Sequence, residues 1–376
     1  MTSPRRLPLL LLAMLSVGSL ILASCSSGES TETSTEAADA GPKPVIVATT
    51  SILGDITSNV VGDLATVEVI VPANTDPHDF EPSAKQAALL RDADLIVANG
   101  LLLEEGLISI IESAEADGTP VVEVGELVDP LTFDEEFEAQ VEAAEEQVEG
   151  AALSGSAADA MQAEAEGLEM EAAATDAGAG EEGHSDEKGH SDEEGHSHGE
   201  FDPHWWMDPT RAAQATGVIS TTVADNTNVD LGQLAEQTEA YEAELLALDD
   251  ELEILFSYIP EDRRLMVTNH DAFGYLATRY GFEVVGTVIP SGSDMAEPSA
   301  ASLAGLATLI NELGVPAIFT ENISSPDLAN TLAAETGTNV AVVPLFSDSI
   351  GEPGSDGENY IAMMRTNGER IANALK

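Results

Sequence analysis

The chain has 376 residues, with 69 Asp and Glu against 13 Lys and Arg, and a formal net charge of −56 at pH 7. A surface this acidic is repelled by phosphate backbones and anionic headgroups, whose protein affinity is carried by Lys and Arg; nucleic acid is excluded as a partner and cations are favoured. The hydrophobic share of 43% supports buried cores over about two domains, and the single cysteine, Cys25, leaves His, Asp and Glu as the side chains for any metal site.

Taken in chain order, the first signal is one of targeting. Arg5 and Arg6 precede an apolar run from Leu7 to Leu22, and Leu22-Ala23-Ser24-Cys25 closes it with small residues. Residues 1–24 read as a secretory signal, too short to span a bilayer comfortably. Leu-Ala-Ser-Cys also looks like a bacterial lipobox, in which the Cys25 thiol is lipidated and opens the mature chain. The expected location is extracytoplasmic, lipid-anchored to the outer face of the bacterial cell membrane. Residues 25–43, rich in Ser, Thr and Glu, read as a flexible stalk.

An N-terminal lobe is expected over 44–225. Strands are predicted at Val45–Ala48, Val67–Val71, Leu95–Ala98 and Val121–Val124, and helices at Ile52–Val60, Ser83–Arg91 and about Leu107–Ala114. This alternation implies a parallel sheet covered by helices. It stops between about 133 and 201, where about a third of all acidic residues collect with little apolar content to offset chain ordering. The stretch reads as a disordered acidic insertion. It ends in a repeat, Gly-His-Ser-Asp-Glu twice and then Gly-His-Ser-His, which carries His184, His190, His196 and His198.

Pro209 to about Ala224 reads as a helix capped by Asp208. A longer connecting helix is expected within 226–260, from about Leu231 to Tyr258. Leu234, Tyr241, Leu245, Leu248, Leu252 and Leu255 form one heptad stripe there. A helix of about 25 residues spans roughly 38 Å, the width of a small domain, so it reads as one rigid helix crossing between two lobes. A C-terminal lobe over 261–376 repeats the alternation. Its predicted strands are Leu265–Thr268, Val284–Ile289, Ala317–Phe319 and Val340–Val343; its predicted helices are Phe273–Tyr280, Ala300–Leu313, Asp327–Glu335 and about Tyr360–Leu375.

The seven histidines are the most informative residues. Besides the four in the repeat there are His78 in Asp76-Pro77-His78-Asp79-Phe80-Glu81-Pro82, His204 in Asp202-Pro203-His204-Trp205-Trp206-Met207-Asp208-Pro209, and His270 in Thr268-Asn269-His270-Asp271. Each falls in a loop at a strand end or helix start, where parallel sheets place ligand sites. A lone histidine in such a loop is more often structural; three in equivalent places point to a shared metal site. A fourth ligand must be a carboxylate. Glu321 and Asp348 both follow late strands, and either could ligate, cap a turn or orient a ligand histidine. Two ligands from each lobe would close on one divalent ion, with Zn(II) favoured by imidazole and Mn(II) possible if the carboxylate binds through both oxygens.

These residues resemble the zinc and manganese solute-binding lipoproteins of bacterial ABC importers, the cluster A-I or TroA-like metal-binding proteins. The likeness covers nearly the whole mature chain and rests on Pro77–Pro82, Asp202–Pro209, His270–Tyr275 followed by Tyr280-Gly281, and Phe346–Ser349. It implies two α/β lobes joined by one long rigid helix, with metal held between them by His78, His204, His270 and Asp348. It places Glu321 beside the site, usually as a partner of a ligand. A His-rich insertion before the second ligand is a feature of the zinc-handling branch, although here its four histidines are diluted among acids.

The function so implied is capture of Zn(II) outside the membrane and delivery to a permease driven by an ATPase, by a monomer that is not an enzyme. Mn(II) import and a surface adhesin on the same fold are the alternatives. A secreted zinc hydrolase is a third, with Glu321 as its base, but no H-E-x-x-H or nucleophile motif supports it. Because imidazole must be deprotonated to bind metal, affinity is expected to fall below about pH 6.5.

Overall fold

The computed structural model describes residues 42–133, 200–289 and 298–376. Cys25, most of the acidic insertion and His184, His190, His196 and His198 lie outside the described residues. Lobe one contains β1 (Val45–Ala48), α1 (Ser51–Val61), β2 (Thr66–Val69), α2 (Ala84–Arg91), β3 (Leu95–Ala98), α3 (Ile108–Ala116), β4 (Val121–Glu123) and α4 (Pro209–Asn226). The long helix α5 (Leu231–Phe256) leads into lobe two. There follow β5 (Leu265–Thr268), α6 (Gly274–Tyr280), β6 (Glu283–Thr287), α7 (Ala300–Leu313), β7 (Ala317–Glu321), α8 (Asp327–Glu335), β8 (Ala341–Leu345) and α9 (Tyr360–Leu375).

Both sheets are parallel and share one topology. Lobe one runs β2-β1-β3-β4 and lobe two β6-β5-β7-β8. The expected fold class, two parallel sheets flanked by helices and joined by a long helix, is therefore the observed one. β3 reads as an unbroken apolar run because helices cover both faces of the sheet, and every residue of β3 and β7 is buried, including Thr320 and Glu321 at the cleft end of β7. In both lobes the first and third strands lie side by side, and crossovers leave that position in opposite directions. Parallel sheets bind ligands at such a point, beyond the carboxyl ends of the strands.

Helix boundaries follow local chemistry. Ser83 caps α2 in a reciprocal capping box with Gln86, and Asp208 accepts from Thr210 N ahead of Pro209 to start α4. The heptad stripe of α5 is buried as expected at Leu234, Tyr241, Leu245, Leu248 and Leu252. At its end Phe256 takes the core position and Leu255 is only half-buried. The helix packs on α1 and α4 of lobe one and on α9 of lobe two. Gly368 of α9 permits the last contact: a Cβ there would lie 2.4 Å from Leu252 Cδ2. No helix among the described residues is long and apolar enough to cross a membrane.

Candidate metal centre

His78 lies in the loop that follows β2, and its backbone N–H is held by Asp76 Oδ1 at 2.8 Å. His204 sits just before the short 3-10 turn Trp205–Met207 that leads into α4. His270 lies two residues beyond β5, and Asp348 three beyond β8. The cleft brings these four together, with one ligand atom of each lying within 4.8 Å of the others. His204, His270 and Asp348 are buried, whereas His78 is half-buried at the rim.

The spacing suits one ion. Tetrahedral donors about 2.0–2.1 Å from zinc stand roughly 3.4 Å apart. His204 Nε2 is 3.5 Å from His270 Nε2. Asp348 Oδ1 is 3.3 Å from His204 Nε2, and Asp348 Oδ2 is 3.5 Å from His270 Nε2. Both Asp348 oxygens are buried, with the facing imidazoles and the Ser347 side chain as their polar neighbours. A buried carboxylate in that condition is costly without a cation.

The far side of each inner imidazole is occupied by a carboxylate. His204 Nδ1 lies 2.5 Å from Asp202 Oδ1, which also accepts from His204 N at 2.8 Å. His270 Nδ1 hydrogen-bonds Glu321 Oε1. Each pairing fixes the ring's orientation and leaves Nε2 facing the cleft. Glu321 lies beside His270 and is not among the four converging residues. Asp202 is not among the residues that the sequence singles out for the site. Its signal was the Asp-x-His spacing, in which a carboxylate two residues upstream can fold back on the imidazole.

Electrostatics follow from burial. Burial opposes protonation of His204, but the Asp202 and Asp348 carboxylates outweigh it and raise its pKa above the ordinary histidine value. Burial also raises the Asp348 carboxyl, a shift that His270 and His204 reduce without cancelling. Asp271, beside His270, is pushed up to about 6 by burial and by the charge of Asp202.

The lobes also bond directly around the cluster. Ser51 Oγ of lobe one lies 3.1 Å from Ser349 Oγ of lobe two, and Asn74 N donates to Ile350 O at 3.0 Å. Trp206 Nε1 donates to Ser347 O at 2.9 Å, and Tyr360 OH to Trp206 O at 2.6 Å. Tyr275 OH donates to Asp202 O at 2.8 Å and accepts from Leu131 N at 2.9 Å. The chain on either side of residues 134–199 is joined by a bridge between Thr132 and Phe201, so Asp202 leaves that stretch already anchored.

The chain is similar to known proteins in sequence and in fold. The family model for the periplasmic zinc-uptake complex component A matches residues 46–374. The chain is 26% identical over 356 residues to the manganese-binding lipoprotein MntA of Halalkalibacterium halodurans, covering 95% of each chain. It is 28% identical over 378 residues to the manganese ABC transporter substrate-binding lipoprotein PsaA of Streptococcus anginosus, covering 99% of each. Among solved structures it is similar to the periplasmic zinc-binding protein TroA of Treponema pallidum, with TM-score 0.67 and 25% identity over 89% of this chain and 99% of that one. The chain belongs to the family of periplasmic component A of zinc-uptake complexes.

Proposed function

We propose that this chain is the extracytoplasmic metal-binding component of a bacterial ABC importer, that Zn(II) is its cargo, and that His78, His204, His270 and Asp348 hold the ion. The observation that carries this reading is the buried Asp348 carboxylate set 3.3 and 3.5 Å from two imidazole nitrogens that come from different lobes. Three neutral imidazoles and one carboxylate suit a four-coordinate divalent ion, with zinc preferred. Glu321, the base a hydrolase would need, is engaged with His270 Nδ1, which favours binding over catalysis.

One observation favours Mn(II) as the second reading. Both Asp348 oxygens face imidazoles of the cluster, so the carboxylate is placed to bind through both and raise the coordination number. Competitive Zn(II) and Mn(II) titration of the purified mature chain separates the two. A zinc preference of 100-fold or more supports zinc import, and a manganese preference reverses the assignment.

Capture and release follow from the lobes' shared ligands. An ion bound by both stabilises the closed arrangement by its differential affinity for it, and α5 limits the lobes to small motions. Release to the permease and its ATPase then begins most readily at half-buried His78. The remaining assignments complete the proposal: residues 1–24 as signal, Cys25 as lipid anchor, 25–43 as stalk, lobe one over 44–225, the connecting helix within 226–260, lobe two over 261–376, and a monomeric state. His184, His190, His196 and His198 serve as weak, fast-exchanging metal capture. Deletion of residues 183–199 slows uptake at limiting zinc if they do, and leaves it unchanged if the loop is only a solvated spacer.

A further inference from the structure

The strand order sets two equivalent positions facing the cleft, one beyond β1 and β3 and one beyond β5 and β7. In lobe two, His270 follows β5, Glu321 ends β7, and the two side chains are bonded to each other. In lobe one the residue after β3 is Asn99, fully buried. Its Nδ2 donates to Pro203 O at 3.1 Å, and its Oδ1 accepts from Trp205 Nε1 at 2.8 Å. Those partners are the residues immediately before and after His204. The orientation of the amide is dictated, since an indole N–H only donates and a carbonyl only accepts.

Asn99 is itself held on every side. Its N–H donates to Glu104 Oε1 at 2.7 Å and to Thr49 Oγ1 at 3.2 Å. Its carbonyl accepts from Gly125 N at 2.8 Å, an approach that only glycine permits because a Cβ there would lie 2.8 Å from the same oxygen. Glu104 returns to this point through Gly100, Leu101 and Leu102, all with positive φ of 76°, 55° and 63°. Two leucines in the left-handed region persist only where their surroundings over-determine them. Here the determinant is the buried Glu104 carboxylate, bonded to the Thr49 hydroxyl, Asn99 N and Gly100 N.

We propose that Asn99 is a positioning residue for the metal centre, its buried amide gripping the chain on both sides of His204 and so setting the direction in which His204 Nε2 enters the cleft. Glu104 acts one step further back by fixing Asn99. The proposal deepens the metal-binding reading and rests on His204 being a ligand.

The test uses the purified mature chain with Zn(II) alone, titrated against a competing chelator, in four variants: Asn99→Ala, Trp205→Phe, the double variant and His204→Ala. Trp205→Phe keeps an aromatic ring in the core while removing the indole donor and some buried volume, so with the cobalt bands read beside it, it decides the matter if Asn99→Ala fails to fold. Asn99→Ala and Trp205→Phe each lower zinc affinity about tenfold, and the double variant binds no more weakly than the weaker of these two, because both break one device. Co(II)-loaded protein reports the geometry separately: its visible bands shift in both variants if the imidazole has moved. Zinc affinity equal to the parent's, or a lowered thermal midpoint with unchanged cobalt bands, overturns the positioning role. If His204→Ala binds zinc as tightly as the parent, the metal-binding reading fails as well; if it binds weakly while the other variants match the parent, only the positioning role fails.

Discussion

His204 Nε2 and His270 Nε2 approach within 3.5 Å of each other from opposite lobes, and each ring is held from behind by a carboxylate of its own lobe, Asp202 and Glu321. The arrangement places two electron pairs at one point in the cleft and removes the alternative tautomers that would turn either ring away. It also brings negative charge close to both imidazoles, so protons compete with the metal for the same nitrogens.

That competition sets the pH dependence. The metal-free protein holds a proton on His204 to a pH above the ordinary histidine value, because Asp202 and Asp348 outweigh burial. Metal binding must displace that proton, so affinity falls as pH drops through the raised value, by up to tenfold per pH unit for each proton released. The decline therefore begins above the pH of about 6.5 expected for an unperturbed imidazole. Chelator competition from pH 5.5 to 8.5 tests it; affinity that stays constant down to pH 6 contradicts the raised value.

Glu321→Gln keeps the side chain's size but removes the charge behind His270, and an amide can present either its oxygen or its NH2 to Nδ1. Zinc affinity is expected to drop about 10- to 100-fold, the usual effect of losing a ligand's hydrogen-bond partner. Asp202→Asn is expected to act likewise through His204. Calorimetric titration of both variants is the check, and unchanged affinity in either shows that its histidine needs no such support.

The hydroxyl pair Ser51 and Ser349 is buried between the lobes, and Ile350 N and Thr75 N donate to it at 3.3 and 3.4 Å. Through it the loops bearing His78 and Asp348 touch without any ion. Ser349→Ala removes bonds worth about 1 kcal/mol in total, so zinc dissociation should accelerate roughly fivefold by that principle while association changes little. Stopped-flow release into excess chelator measures this directly.

Glu283 offers a test of lobe two alone. It opens β6 in a buried position, and burial pushes its carboxyl up to about 7. Between its unfolded value near 4.5 and about 7 the folded protein keeps a proton that the unfolded chain has released. Stability therefore declines as pH rises through that window. Glu283→Gln is expected to stabilise the protein by about 3 kcal/mol at pH 8 and by less than about 1 kcal/mol at pH 5. Denaturant melts at the two pH values decide it, and equal effects at both contradict the assignment.

Much of this architecture is readable in the chain because it depends on local pattern. The runs Val45–Ala48, Leu95–Ala98 and Ala317–Phe319 are short, apolar and bounded by turn residues, and each becomes a buried strand. The heptad stripe from Leu234 marked α5 because one face of a 26-residue helix must meet both lobes. His78, His204 and His270 are conspicuous because histidine is scarce and each falls in a loop that follows a strand or precedes a helical turn. Boundaries drifted where no cap announced them, as at β7, which continues two residues past Phe319 to Glu321. The choice between Glu321 and Asp348 was not readable from spacing, since both follow strands of lobe two; it depends on which one crosses to His204, a tertiary relation. Asn99 and the Ser51–Ser349 pair were hidden for the same reason. The contacts that tie the Asn99 side chain to Pro203 and Trp205, and Ser51 to Ser349, span 104 or more residues.

The central claim is that one ion binds between the lobes through residues of both. Zinc titration of the mature chain, of His270→Ala and of Asp348→Ala tests it most directly, with each variant first checked for an unchanged fold by circular dichroism. The expected result is one tightly bound Zn(II) per parent chain and a loss of at least 100-fold in affinity in both variants. Parent-like zinc affinity in both folded variants would contradict the site.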